Sequence, residues 1–189
     1  MTHVFGDKNS EQIIACKGGV ESVLKQCNIT PEEKANINAL THQLAAKGNR
    51  VLAVAQAKSN PKDFPKSQHD FEFIFIGLIA FYDPPKKNMT DIVKKFYDAG
   101  VKVKMITCDY AETAVAIARQ INFANSSSVV TGDEVMKMNA VELRRQIETT
   151  DIFARMFPDA KLKVIEALKQ NNEVVAMTGD GVNDGPALK

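Results

Sequence analysis

Cysteine is scarce in this chain: Cys16, Cys27 and Cys108 are its only three in 189 residues. The number is odd and no pair has a CxxC spacing, which argues against both a disulfide framework and a cysteine-based zinc site. Histidine is equally thin, and His3, His42 and His69 are too scattered to form a ligand pattern. Charge of one sign is missing too. The 24 Lys and Arg nearly balance 23 Asp and Glu, leaving a formal net charge of +1. With no basic patch interleaved with aromatics, no nucleic acid, DNA included, is expected as a partner. The longest apolar run, Phe73 to Phe81, has nine residues, where a membrane-spanning helix needs about 20. The opening MTHVFGDKNS lacks the basic stretch and apolar core of a signal peptide. The chain is therefore expected to be cytosolic, and the Asn-x-Ser/Thr triplets at Asn28, Asn88 and Asn125 carry little meaning. Repeats and low-complexity segments are absent. What remains is an ordinary globular composition, 44% hydrophobic and 25% charged, long enough for one large domain or two small ones.

Two textures follow one another along the chain. Val4-Phe5 and Gln12 to Cys16 flank the turn-rich Gly6 to Ser10, a hairpin signal. Thr30-Pro31-Glu32-Glu33 opens a helix with Thr as N-cap, Pro at the first position and Glu33 closing a capping box. Ile37, Leu40, Leu44 and Ala45 give it one apolar face, and Gly48 a stop. Arg50 to Ala55 reads as a strand and 59–70 as a polar loop. From Phe71 the pattern becomes strand, helix, strand, helix. Phe71 to Ala80 reads as a buried strand broken at Tyr82-Asp83-Pro84-Pro85. A helix burying Ile92, Val93 and Phe96 stops at Gly100, and a strand spans Val101 to Ile106. Asp109 and Glu112 then cap a helix burying Ala114, Ile117, Ala118 and Ile121. Ile152 to Ala154 reads as a strand, Lys161 opens a helix with Leu162, Ile165 and Leu168, and the strand Val174 to Met177 closes the series. Such alternation predicts an α/β fold with a doubly wound, mostly parallel sheet.

The most informative stretch is TGDGVNDGPALK, Thr178 to Lys189. It places Asp180, Asn183 and Asp184 on a glycine-broken turn after an apolar strand, at the sheet edge where open α/β folds bind ligands. Hard oxygen donors so held suit Mg²⁺. Gly179, Gly181 and Gly185 are spaced one residue too far for a dinucleotide fingerprint, and Val182 stands where an EF-hand loop needs Asp or Asn. A polar turn with no ligand is the plain alternative.

The stretch resembles the TGDGVNDAPALK signature of P-type cation-transporting ATPases, with Gly185 for the family's Ala. Further segments match that family in order. Cys16-Lys17-Gly18-Gly19 resembles the KGA motif, which implies Lys17 and Gly18 at the adenosine pocket, with Gly19 for Ala. Arg50 stands where the family contacts nucleotide phosphates, a task that suits a planar charged fork. Asp83-Pro84-Pro85-Lys86 resembles the DPPR hinge motif and implies a nucleotide-orienting role for Asp83. Lys86 keeps the charge there without the bidentate fork. Thr107-Cys108-Asp109 stands where the family has TGD. This implies Thr107 on a phosphoryl oxygen and Asp109 on nucleotide, with Cys108 in place of a glycine that adopts backbone angles a cysteine resists. Phe153 to Lys161 resembles FARVxPxxK, which makes Lys161 the cation on the transferred phosphoryl group. Read without the resemblance, Thr107 and Asp109 fit a helix cap equally well, Arg50 and Lys161 fit solvated surface positions, and Lys17 is a lysine beside a turn.

The resemblance implies a type II-like pump, on the cytoplasmic face of a membrane, that binds ATP and Mg²⁺. Asp180 would ligate the metal, with Asn183 and Asp184 ordering the site. The family's covalent step uses the first Asp of DKTGT as nucleophile, and no DKTG occurs in these 189 residues. The expectation is therefore a fragment. Residues 1–76 would form a partial α+β nucleotide-binding domain. Residues 77–189 would form most of a haloacid dehalogenase-like, Rossmann-like phosphorylation domain whose parallel sheet lacks its first strand. Its partners would be ATP and the rest of the pump, with the transported cation bound elsewhere. Two other classes compete: a piece of a soluble haloacid dehalogenase-type phosphatase, whose DxDx[TV] strand is absent here, and a non-catalytic nucleotide-binding remnant.

Overall fold

The computed structural model describes residues 1–6, 12–59, 66–67, 70–179, 181 and 184–188. Contacts divide the chain into two compact units, Met1–Ala45 with Asn49–Asp83, and Ala46–Gly48 with Pro84–Lys189.

The first unit is built on a four-stranded antiparallel sheet in the order β1-β2-β3-β4: β1 Thr2–Gly6, β2 Gln12–Gly18, β3 Arg50–Ser59 and β4 Ile74–Phe81. Alternation decides which side is core. Ile14 and Cys16 of β2 and Val51, Ala53, Ala55 and Ala57 of β3 are buried against Val20, Val23 and Leu24 of α1 (Val20–Leu24) and against Phe73. The second helix, α2 (Pro31–Ala46), begins with the expected capping box: Glu33 N–H donates to Thr30 Oγ1 at 3.2 Å, and Thr30 N–H to Glu33 Oε2 at 2.8 Å. Ile37 and Leu44 pack on the core as expected, whereas Leu40 lies exposed and Thr41 takes the buried place. Gly48 at φ 82° supplies the left-handed turn after the helix.

The strand after residue 70 corrects the sequence reading twice. It pairs antiparallel with β3, so it is not a member of the later parallel series. Nor is it buried on both faces, since Ile74, Ile76, Ile79 and Phe81 are exposed. The register passes from Ala55↔Phe75 to Val54↔Gly77, which bulges Ile76 out of the ladder. That extra residue lets Phe75 and Leu78, three apart, both face the core. The hairpin turn expected at Gly6 to Ser10 lies mostly outside the described residues, but its flanks pair from Thr2↔Cys16 to Gly6↔Gln12.

The second unit is α/β with a parallel sheet ordered β5-β7-β6: β5 Met105–Ile106, β6 Val129–Thr131 and β7 Ile152–Ala154. Its helices are α3 (Met89–Asp98), α4 (Ala111–Gln120), α5 (Gly132–Lys137), α6 (Ala140–Thr149), α7 (Pro158–Gln170) and α8 (Gly185–Leu188). The central strand, β7, shows why both faces are covered. Ile152 and Ala154 face a cluster with Val93 of α3 and Ala114 and Ala118 of α4. Phe153 faces the opposite cluster, with Val135, Leu143, Ile147 and Val164 from α5, α6 and α7. Helices therefore cover both sides of this three-stranded parallel sheet, as in α/β folds.

Several details differ from expectation. Tyr97, not Phe96, is the aromatic that α3 turns inward, edge-on to Phe123. The N-cap of α4 is Tyr110, without a side-chain cap, because Asp109 turns back to Thr107. The element β5 is two residues long instead of six, and Val174 to Met177 forms no strand: Val174 is fully exposed. A two-residue β5 with strand pairing to β7 alone, among the described residues, leaves its other edge open.

Candidate functional site

In the second unit the chemistry gathers where β5 and β7 end and α7 begins. Pro158 occupies the first turn of α7, where its missing N–H costs nothing. Three residues later Lys161 points inward and is 5% exposed. Its Nζ donates to Asp184 Oδ1 at 2.5 Å, both side chains being largely buried. Asp184 Oδ2 accepts from Gly181 N–H at 3.1 Å. Burial works to lower the Lys161 pKa, but the Asp184 hydrogen bond and charge, with help from Cys108, outweigh it and hold the ammonium above its ordinary value. Gly179 makes this approach possible, since a Cβ there would come within 2.7 Å of the Asp184 carboxylate.

Thr107 and Asp109 meet each other. Thr107 Oγ1 donates to Asp109 Oδ2 at 3.0 Å and accepts from Asp109 N–H at 3.1 Å. Cys108 ties this loop to the segment before α7, its thiol donating to Met156 O at 2.9 Å. Cys108 is not among the residues at positive φ, so no left-handed angle is forced on it. Asp180 and Asn183, expected as metal ligand and organiser, lie outside the described residues. Among the described residues no group of three metal-suited side chains occurs. Asp184, a hard oxygen donor of the kind that suits Mg²⁺, is already paired with Lys161.

On the first unit, Lys17 is paired with Val54 across β2 and β3. Val54, Leu52 and Arg50 alternate onto the side away from the buried Val51 and Ala53. Lys17 and Arg50 therefore share the outer face, Arg50 roughly 13 Å along the strand from the Lys17 level. Gly18 sits beside Val23, where a Cβ would make ordinary contact at 3.6 Å. Asp83, in the segment after β4, is exposed. The two glycines that stand for family alanines, Gly19 and Gly185, have nothing within 4 Å of an added Cβ and no positive φ, so neither is sterically required.

Sequence reasoning missed Arg155, Tyr110 and Gly132. Arg155 stands at φ 52° with its guanidinium 5.1 Å from the centre of the Tyr110 ring. A Cβ on Gly132 would meet Arg155 O at 2.6 Å. The available signals were that Arg155 lies within the Phe153 to Lys161 segment and that Tyr110 directly follows Thr107-Cys108-Asp109.

Residues 1–88 match a family model described as P-type ATPase, cytoplasmic domain N. The chain is 35% identical to the probable cation-transporting ATPase F of Mycobacterium tuberculosis, over 95% of this chain and 22% of that protein. It is 35% identical to calcium-transporting ATPase 1 of Lactococcus lactis, over 98% of this chain and 22% of that protein. Calcium-transporting ATPase 1 of Saccharomyces cerevisiae is 34% identical over 100% of this chain and 22% of its own length. The described helices include none long and apolar enough to cross a membrane. The chain belongs to the P-type ATPases and spans about a fifth of the length of the relatives it matches.

Proposed function

We propose that the chain is the part of a P-type cation pump that binds Mg-ATP on its first unit and handles the transferred phosphoryl group on its second. The observation that carries this reading is Lys161, a buried first-turn lysine held at the ends of parallel strands by Asp184. A lysine there is a fixed point charge suited to phosphoryl oxygens, and Asp184 keeps it in place until they arrive. Thr107 would offer a hydroxyl from the loop that the Cys108 thiol ties to the segment before α7. Asp180 would hold Mg²⁺, which neutralises phosphate charge when bound, with Asn183 and Asp184 ordering the loop.

On the first unit, Lys17 and Gly18 would receive the adenosine and Arg50 the phosphates. The sheet face shared by Lys17 and Arg50 supports that reading, and Asp83 would add a nucleotide contact on the same unit; on the second unit Asp109 is the candidate nucleotide residue. The second unit is read as haloacid dehalogenase-like. The open edge of β5 and the unpaired run 174–177 would flank the strand that carries the nucleophilic aspartate, contributed by another part of the pump. The full pump would couple ATP hydrolysis, through an aspartyl-phosphate, to movement of a cation bound elsewhere.

Calorimetric titration of the chain with a non-hydrolysable ATP analogue and Mg²⁺ tests the reading. Weak binding is expected, with affinity falling about tenfold in Lys17→Ala, the loss of one charge-assisted contact. Binding indifferent to both Lys17→Ala and Arg50→Ala would sink it.

A further inference from the structure

The helix that carries Lys161 carries a second lysine two positions on. At about 100° per residue, the side chains at 161 and 163 leave α7 on nearly opposite sides. Lys161 reaches inward to Asp184, whereas Lys163 reaches the end of α5. There its Nζ donates to Val135 O at 2.9 Å, Met136 O at 3.2 Å and Met138 O at 2.8 Å. An ammonium has three protons, and all three are used. The last carbonyls of a helix have no partner inside it, and that end attracts a cation. The other end of α5 is held as well. A Cβ on Gly132, its first residue, would meet Arg155 O at 2.6 Å and the Phe157 ring at 3.1 Å. Contacts at 155–157 and at 163 thus bracket Lys161 in sequence, and both are made with α5. Between them Val135 shares a buried cluster with Ala160 and Val164. Apolar contact of that kind is non-directional and lets a helix turn about its axis, whereas hydrogen bonds to three carbonyls do not.

We infer that Lys163 is a positioning residue for Lys161. By fastening α7 to the end of α5 it fixes the rotation of the first turns of α7, and with it the direction in which Lys161 points. It acts through the helix, its own protons being spent on α5. This rests on the reading of Lys161 as the cation that meets the transferred phosphoryl group.

Side-chain NMR of the 189-residue chain tests it. The Lys161 ammonium protons, held by Asp184, should exchange with water about three- to tenfold faster in Lys163→Met, the factor that the net worth of one hydrogen bond represents. In a titration with inorganic phosphate and Mg²⁺, followed at the Lys161 side chain, Lys163→Met should weaken binding by a similar factor. Lys163→Arg can still donate to the α5 carbonyls and should restore both readouts, at least in part. Leu168→Ala controls for lost stability, since Leu168 packs on the same cluster from a later turn of α7. It should lower the urea midpoint but leave Lys161 exchange and phosphate affinity as in wild type. Unchanged Lys161 exchange in Lys163→Met would overturn the inference. So would an equal change in Leu168→Ala, which would reduce Lys163 to a helix cap. Should the wild-type chain show no phosphate-dependent shift, the phosphoryl reading itself fails, and the exchange comparison still decides whether Lys163 aims Lys161.

Discussion

A lysine that is 5% exposed in the first turn of a helix needs a reason, since the helix N-terminus is the end that disfavours cations. Asp184 supplies it. Replacing Lys161 by Met leaves that carboxylate uncompensated, and the expected loss is about 3 kcal/mol in a urea melt, as for other broken buried pairs. A surface lysine would cost less than about 0.5 kcal/mol. The pH dependence has a definite sign. Because the Lys161 pKa is raised in the fold, its stabilisation is complete below the ordinary value of 10.5 and is lost as pH rises through the higher folded value. Wild-type stability should therefore fall above that pH more steeply than that of Lys161→Met. Glycines test the same corner. Gly179→Ala should displace Asp184 and lower stability, whereas Gly185→Ala, with open space at its Cβ and a place in α8, should be neutral or stabilise by about 0.5 kcal/mol. Residue by residue, the sequence alone left Lys161 with the appearance of a solvated helix lysine; its partner stands 23 positions later. Resemblance to a family pointed to it, and local pattern could not.

At the scale of elements, legibility followed how local the determining contacts are. The α2 start was readable because Thr30 and Glu33 are three residues apart and cap each other. Two more capping boxes, Thr131 with Glu134 and Asn139 with Glu142, open α5 and α6, and they could have revealed the helices that the reading of 122–151 left out. The face of β4 was not readable. Its run of apolar residues conceals both the bulge at Ile76 and the exposed side, because register is set by β3 and not by β4's own sequence. Val174 to Met177 looks like a strand by composition, but a strand needs neighbours, and none pairs with it among the described residues. The α5 cap gives a testable shift. Hydrogen bonds from the Thr131 side chain and backbone hold the Glu134 carboxyl below its ordinary 4.5. The stabilisation is thus present above that value and is lost as pH falls through the lower folded one. Side-chain NMR titration should place the Glu134 midpoint below 4.5 and show it rising in Thr131→Ala. An unshifted midpoint would mean that the box does not form.

For the whole molecule, the proposed division places ATP recognition on the first unit and phosphoryl handling on the second, with no DKTG nucleophile motif in these 189 residues. Incubated with γ-labelled ATP and quenched in acid, the chain should incorporate no hydroxylamine-sensitive label, because Lys161 and Mg²⁺ stabilise charge but accept no phosphoryl group. On the proposed reading Lys17 and Arg50 mark the nucleotide face. That reading is tested most directly by mapping backbone amide shifts while a non-hydrolysable ATP analogue is added with Mg²⁺ to about 1 mM, the range of weak binding. Saturable shifts are expected at Lys17, Gly18, Leu52 and Val54, reaching half-saturation at about tenfold more analogue in Lys17→Ala. Saturable shifts confined to other parts of the chain, or none at all, would contradict it.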